Sequence, residues 1–312
     1  MRGPMFRHLP FEPHVPPTQR GEGSLFLRYE DVTQDGRMRL EPLTHASDVS
    51  VWRSVLATHP LTQRLLSEGI LPILARLSIE SDAGPVDVRS VAHCVGAMEM
   101  IRCVAEDGRV RLRMDSWAEA RAPRGRTHGP APEGAGETIA LGRVLAEHVL
   151  TRPFATSPEE RSVTEIPGGW PEDVPRRDAP YAPPRSVIEL PEGAEPIDDA
   201  FSLDACPLTF GIGHTDSNQH VNSLVYPRLL EEAALRRFHT LGESTARFAR
   251  FVDLGFRKPC FAGDRMRIML RAYRLGDELG VLAAFITTGE AIGVGPTPSD
   301  RAHAFARMQF VA

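Results

Sequence analysis

Lysine is almost missing from this chain: of its 36 lysine and arginine residues, only Lys258 is a lysine. Usage this one-sided reads first as the mark of a GC-rich genome and only second as a need for guanidinium chemistry. Cysteine is scarce too, and Cys94, Cys103, Cys206 and Cys260 lie far apart with no C-x-x-C pair. That spacing argues against structural zinc, and reduced thiols suit a cytoplasmic protein, the expected location. No apolar run approaches the roughly 18 residues of a membrane helix, and no apolar signal core opens the chain. The net charge of -5 removes the usual reason to expect nucleic acid. No membrane, nucleic-acid, metal or redox-cofactor partner is therefore expected.

What is present suits an ordinary globular protein, 42% hydrophobic and 25% charged, and 312 residues suffice for about two domains. Residues 1–23 carry Pro4, Pro10, Pro13, Pro16 and Pro17 and read as a flexible arm. In "GRMRLEPL", Met38 and Leu40 alternate with Arg37 and Arg39, a strand-like period. A helix is expected over 47–68, capped by Ser47 or Asp48, with Val51, Trp52, Val55 and Leu56 as its stripe. Long strands follow at about 72–80, 90–104, 109–120 and 138–152. Ten prolines between Pro153 and Pro196 then suggest an extended crossing over 153–200. After it the order repeats: a strand at about 203–211, a helix ending at Gly242, and strands at about 246–257, 264–274, 279–288 and 302–311. In "RMRIMLRAY", Met266, Ile268, Leu270 and Ala272 oppose Arg265, Arg267, Met269, Arg271 and Tyr273. Such arginine rows read as solvated sheet faces, or as surfaces able to attract acidic or phosphorylated groups. Two halves of the same order, residues 24–152 and 201–312, fit an antiparallel sheet wrapped around a central helix, built twice.

The stretch "GHTDSNQHVNS", residues 213–223, packs Asp216, Asn218 and His220 in front of the second helix. The first N–H groups of a helix lack intrahelical partners and carry partial positive charge, so a carbonyl oxygen set there can be polarised. Asp216 could serve as base or nucleophile, with Asn218 and His220 positioning water or substrate. The plainer reading is that Asp216 and Asn218 only form a turn and cap the helix, with His220 a bystander. Pro227 is awkward about one turn in, so regular bonding starts later or one bond is lost.

"DSNQHVNSLVY" resembles the D-x-N-x-H-V-N-N-x-x-Y stretch of the acyl-ACP thioesterases of the hotdog superfamily, matching at Asp216, Asn218, His220, Val221, Asn222 and Tyr226. "FRKPCFAGDRMRI", 256–268, is similar to the hotdog strand after the helix. The resemblance covers about 200–312 and implies an α+β fold of two tandem hotdog domains, their sheets joined edge to edge. It implies hydrolysis of an acyl thioester on acyl carrier protein or coenzyme A, without cofactor. Catalysis would fall to Asp216, Asn218 and His220. Val221, Asn222, Tyr226, His214 and Cys260 would contact the substrate, its carbonyl near Val221 and Asn222. His214 could instead merely occupy the turn, and Cys260 be a half-buried strand cysteine. "THASDVSVW" sits where the motif should recur in the first half, yet lacks the histidine and asparagine, so that half is expected to be non-catalytic. The plant enzymes' additional catalytic glutamate falls at Pro259, which cannot do acid–base work. The covalently linked pair would be a monomeric pseudo-dimer or a homo-oligomer of it.

Two rivals remain open. Double-hotdog enoyl-thioester hydratases carry D-x-N-P-x-H, with histidine five residues after aspartate, whereas His220 follows Asp216 by four without a proline. A non-catalytic acyl-thioester binder would use the same cavity.

Overall fold

The computed structural model describes residues 8–81, 84–287 and 302–312. The chain divides into two compact units between Ala182 and Pro183.

The first unit begins with strand β1 (Arg20–Phe26), followed by helix α1 (Leu40–Ser47), a π-helical stretch (Asp48–Leu56) and helix α2 (Pro60–Ser67). Strands β2 (Leu71–Ser81), β3 (Val91–Val104), β4 (Val110–Pro123) and β5 (Thr138–Thr151) come next, then a single turn α3 (Pro158–Arg161) and β6 (Arg176–Pro180). The antiparallel order is β1-β3-β4-β5-β2, with β6 added parallel along Met100–Val104 of β3. Val51, Val55, Leu56, Leu61 and Leu65 from the helical layer pack on Met98, Met100, Leu112, Met114 and Leu150 of the sheet. Each such fully buried side chain contributes about 1.5–3 kcal/mol. Gly21 and Gly96 are cross-strand partners under the π-helical stretch. A Cβ on Gly21 would lie 2.2 Å from the Ser50 carbonyl oxygen and one on Gly96 2.3 Å from Ser50 Oγ, so only hydrogen fits at either.

Several expectations for this half need correction. The helical layer starts at Leu40, so "GRMRLEPL" is not a strand, and only an isolated Val32–Met38 bridge remains of it. Leu40 and Leu43 are buried one turn apart, and Pro42 falls in the first turn, where no intrahelical N–H is needed. Ser47 and Asp48 are therefore mid-helix rather than caps, and the only side-chain cap in the layer is His59 Nδ1, accepting the Leu61 N–H at 3.2 Å. The expected arm also ends too late. Arg20–Gly23 pair with β3, Gln19 donates to the Met98 carbonyl at 3.1 Å, and Trp117 Nε1 donates to the Pro10 carbonyl at 3.0 Å.

In the second unit, the short strands β7 (Glu195–Pro196), β8 (Ser202–Leu203) and β9 (Leu208–Thr209) precede helix α4 (Val225–Thr240). Strands β10 (Phe248–Phe256), β11 (Arg265–Leu275), β12 (Glu278–Thr287) and β13 (Ala304–Val311) complete it. The antiparallel order is β10-β13-β12-β11, and β7, β8 and β9 all pair along the outer edge of β11. The strand expected over 203–211 is thus two short pairings separated by residues 204–207, the last of which, Pro207, has no N–H to give a ladder. Leu230, Ala233, Ala234 and Phe238 of α4 are buried, Phe238 edge-on to Phe310 of β13 at 5.1 Å. Gly242 (φ +74°) ends the helix: its N–H reaches the His239 carbonyl at 3.1 Å and that of Glu243 reaches Phe238 at 2.9 Å, a Schellman closure. Regular bonding does start late, because Val225 is the first helical residue and Pro227 falls among the orphan N–H positions.

The proline-rich stretch is not an extended crossing but is divided between the units. Val163, Ile166 and Val174 enter the first core, and Val187 enters a second cluster with Met269, Ile286 and Phe305. Its prolines occupy first-turn positions such as Pro158 and Pro184 while the apolar residues between them pack. This packing covers arginine rows expected to be solvated. Arg111 stacks 4.5 Å over Tyr181, and Arg271 Nε donates to the Asp198 carbonyl at 3.0 Å. Residue 288, expected to end a strand, lies outside the described residues.

Candidate active site

Thr215 and Val221 form an antiparallel bridge, so the chain between them doubles back as a tight loop before α4. Asp216 N–H donates to the His220 carbonyl at 2.9 Å, and Gln219 N–H to the Asp216 carbonyl at 3.0 Å. The Asp216 carboxylate also takes part: Oδ1 accepts the Asn218 N–H at 2.8 Å, as short polar side chains do in turns. Gln219 has φ +65°, the only non-glycine with positive φ among the described residues, a strained conformation of the kind that persists where surroundings over-determine it. Asp216 is half-buried, and Asn218 and His220 are exposed, the His220 ring edge-on to Phe261 at 5.2 Å. Among the described residues, Asp216 Oδ2, the Asn218 amide and the His220 ring nitrogens make no hydrogen bond.

Val221 and Asn222 do something other than expected. Val221 N–H donates to the Cys260 carbonyl at 2.8 Å and Asn222 N–H to the His214 carbonyl at 2.9 Å. Both donors are spent on tying the loop down, so a substrate carbonyl cannot rest on them. Asn222 Oδ1 accepts the Leu224 N–H at 2.8 Å and so starts the turn into α4. His214 Nδ1 accepts the Gly211 N–H at 3.0 Å, which places this histidine in the approach turn.

Tyr226 and Cys260, expected to contact the substrate, lie behind the loop instead. Tyr226 is 2% exposed and packs edge-on to Phe256 and Phe285, its hydroxyl against the Cys260 thiol. Cys260 is 0% exposed and burial pushes its thiol up to about 11, the opposite of an activated nucleophile. Its sulfur lies 3.3 Å from His303 Nδ1, a residue on which the sequence pattern drew no attention. In the first unit, burial pushes the Asp115 carboxyl up to about 7 despite Arg113, which donates to it at 2.8 Å. Buried His148 is pushed down to about 4. Neither perturbed group carried a sequence signal, because each becomes buried only when strands assemble around it. Among the described residues, no three His, Cys, Asp or Glu side chains gather as a metal would require, and no helix is long and apolar enough to cross a membrane.

No protein-family model and no curated protein matches the chain. Solved structures do. A Lactobacillus plantarum protein assigned as an oleoyl thioesterase superposes with TM-score 0.56 at 13% identity, over 93% of this chain and 95% of that one. An acyl-ACP thioesterase from Bacteroides thetaiotaomicron gives 0.51 at 15% identity, over 94% and 98%. The 12:0-ACP thioesterase from Umbellularia californica gives 0.53 at 13% identity, over 96% and 99%. The chain has the double hotdog fold. At these identities the likeness carries fold alone, so activity has to be argued from the loop. Among the described residues, only the second unit presents such a loop at a helix entrance. Residues 44–52, where a first-half counterpart was expected, are helical throughout, lying in α1 and the π-helical stretch.

Proposed function

We propose that the protein is a thioester hydrolase, cleaving an acyl group from acyl carrier protein or coenzyme A to give a carboxylic acid and a free thiol. The observation that carries this reading is the loop 216–220, which leaves a carboxylate oxygen, an exposed amide and an exposed imidazole without hydrogen-bond partners among the described residues just before α4. A bare capping turn would need the Asp216 Oδ1 contact and nothing more. Asp216 Oδ2 takes a proton from water as the water's C–O bond forms and the C–S bond breaks, or it attacks the carbonyl itself with loss of the thiol, and water then cleaves the mixed anhydride to release the acid and restore Asp216. The His220 imidazole can pass a proton to the departing sulfur, and Asn218 orients water or acyl oxygen. With Val221 and Asn222 spent, the oxyanion contact falls to Ser223 N–H, which makes no hydrogen bond among the described residues, together with these side chains. Pro259 leaves the family glutamate without a counterpart, so the reading rests on three polar residues. The first hotdog serves as the non-catalytic partner.

Thiol release from a panel of acyl-CoA and acyl-carrier-protein substrates tests this, run beside a crotonyl thioester whose double bond is followed at the same time. Thiol release with the double bond intact is expected. Loss of the double bond without thiol would make the protein a hydratase, and stable bound thioester without either would make it a binder.

A further inference from the structure

We infer that His303 is a positioning residue for the Asp216–His220 loop, holding its floor through the Pro259–Cys260 peptide; this rests on the hydrolase reading for its kinetic meaning. His303 is half-buried just before β13, and its main chain is anchored on both sides. Its N–H donates to the Phe285 carbonyl at 2.8 Å, and its carbonyl accepts from Arg257 at 2.9 Å and Lys258 at 3.1 Å. Its ring nitrogens then reach in two directions. Nδ1 lies 3.1 Å from the Pro259 carbonyl, and Nε2 lies 3.1 Å from Thr287 Oγ1. A carbonyl oxygen only accepts, so Nδ1 carries the proton, and the bare Nε2 accepts the Thr287 hydroxyl. One tautomer satisfies both contacts, and in it Nδ1 has no lone pair to take a proton from the Cys260 thiol 3.3 Å away. The pair is therefore not a nucleophilic dyad.

What the ring does hold is the carbonyl of Pro259. The next carbonyl along, that of Cys260, accepts the Val221 N–H at 2.8 Å, and Val221 directly follows His220. Because a peptide group is planar and rigid, fixing Pro259 O fixes the orientation of the unit that bears Cys260. From the other side, the Tyr226 hydroxyl meets the Cys260 thiol. The loop thus stands on a floor whose position is set by His303 and, through it, by Thr287. A shift of about 1 Å in catalytic groups can cost about 10²-fold in rate, which is why a ring that never meets substrate would matter.

The test compares wild type with His303→Ala, His303→Asn, His303→Gln and Thr287→Val, reading kcat, KM and amide exchange at Val221. The asparagine amide N–H falls near the former Nδ1 and can still reach Pro259 O, whereas the glutamine amide falls near the former Nε2. His303→Ala should lower kcat about 10-fold or more with KM within about 2-fold, and raise Val221 exchange about 10-fold. His303→Asn should recover both to within about 3-fold, and His303→Gln should not. If His303→Ala fails to fold, the Asn and Gln variants and Thr287→Val decide, the last lowering kcat several-fold with its melting temperature kept. Unchanged Val221 exchange, unchanged kcat per folded molecule, or rescue by glutamine as good as by asparagine would overturn the inference. A wild type that releases no thiol but loses Val221 protection in His303→Ala would instead overturn the hydrolase reading and leave the positioning intact.

Discussion

Replacing Asp216 by asparagine and, separately, by alanine divides the two jobs its carboxylate can have. Oδ1 accepts the Asn218 N–H at 2.8 Å, and an asparagine Oδ1 can accept it as well. The asparagine variant trades a charge-assisted bond for a neutral one in a half-buried turn, a loss of about 1 kcal/mol or less. The alanine variant loses the bond outright, about 1–2 kcal/mol. At about 2–4 °C per kcal/mol for a protein of this size, the melting temperatures should fall by about 3 °C and about 6 °C respectively. The rate effect is of another order. Removing a positioned base typically costs about 10²–10⁴-fold, or about 3–5 kcal/mol on the barrier, and asparagine removes the base as fully as alanine does. Thiol release per folded molecule should therefore collapse equally in both variants while their melting temperatures separate. An Asp216→Asn protein that keeps kcat within about 3-fold of wild type, beside an Asp216→Ala protein that melts early, would show a capping turn and no catalytic carboxylate.

Gln219→Gly should relieve the positive φ and raise stability by about 0.5–1 kcal/mol, read as a higher melting temperature, while a loosened loop lowers kcat several-fold; a destabilised variant would contradict the strain argument. Asp115, raised to about 7, favours its neutral form in the fold, so its contribution is fully present below the unfolded carboxyl value near 4 and is lost as pH rises through 7. The melting temperature should accordingly fall between pH 5 and 8 by the equivalent of a few kcal/mol at most, and Asp115→Asn should flatten that slope; an equal slope in the variant would exclude Asp115 as its cause. Trp117→Phe removes the 3.0 Å bond to the Pro10 carbonyl, worth about 1 kcal/mol, and should speed chymotryptic cleavage after Phe11 about 5-fold, a rate that stays fixed if the arm is held elsewhere.

The long strands and α4 were readable because their periods are carried by neighbouring residues, as with Leu230, Ala233, Ala234 and Phe238. Met38 and Leu40 misled for the same reason: alternation over four residues does not separate a strand from the approach to a helix. The second face of β11 was also opaque. Met269 and Tyr273 look solvent-facing beside Arg267 and Arg271, yet both are buried. Met269 shares a cluster with Val187, and Phe201 and Leu203 pack against it, cover that comes from residues more than sixty positions upstream of the strand. At the site, the polar trio is contiguous and therefore visible. Its floor is not, since His303 reaches Cys260 across 43 residues through strand pairing. The expected seat for the substrate carbonyl failed likewise, because the acceptors that consume Val221 and Asn222 N–H are main-chain oxygens that no side-chain pattern announces.

The facing pair Gly21 and Gly96 bears on descent as well as on packing. The wide π-helical turn rests its Ser50 carbonyl where a Cβ on Gly21 would stand and its Ser50 hydroxyl where one on Gly96 would, so the three elements can change only together. A relative with alanine at one of these positions should have lost the extra helical residue and wound an ordinary α-turn there; one that keeps the wide turn should keep both glycines. Helix length and glycine would then be inherited as a single character, and an alignment that shifts by one residue within 48–56 would mark the branch on which it was lost.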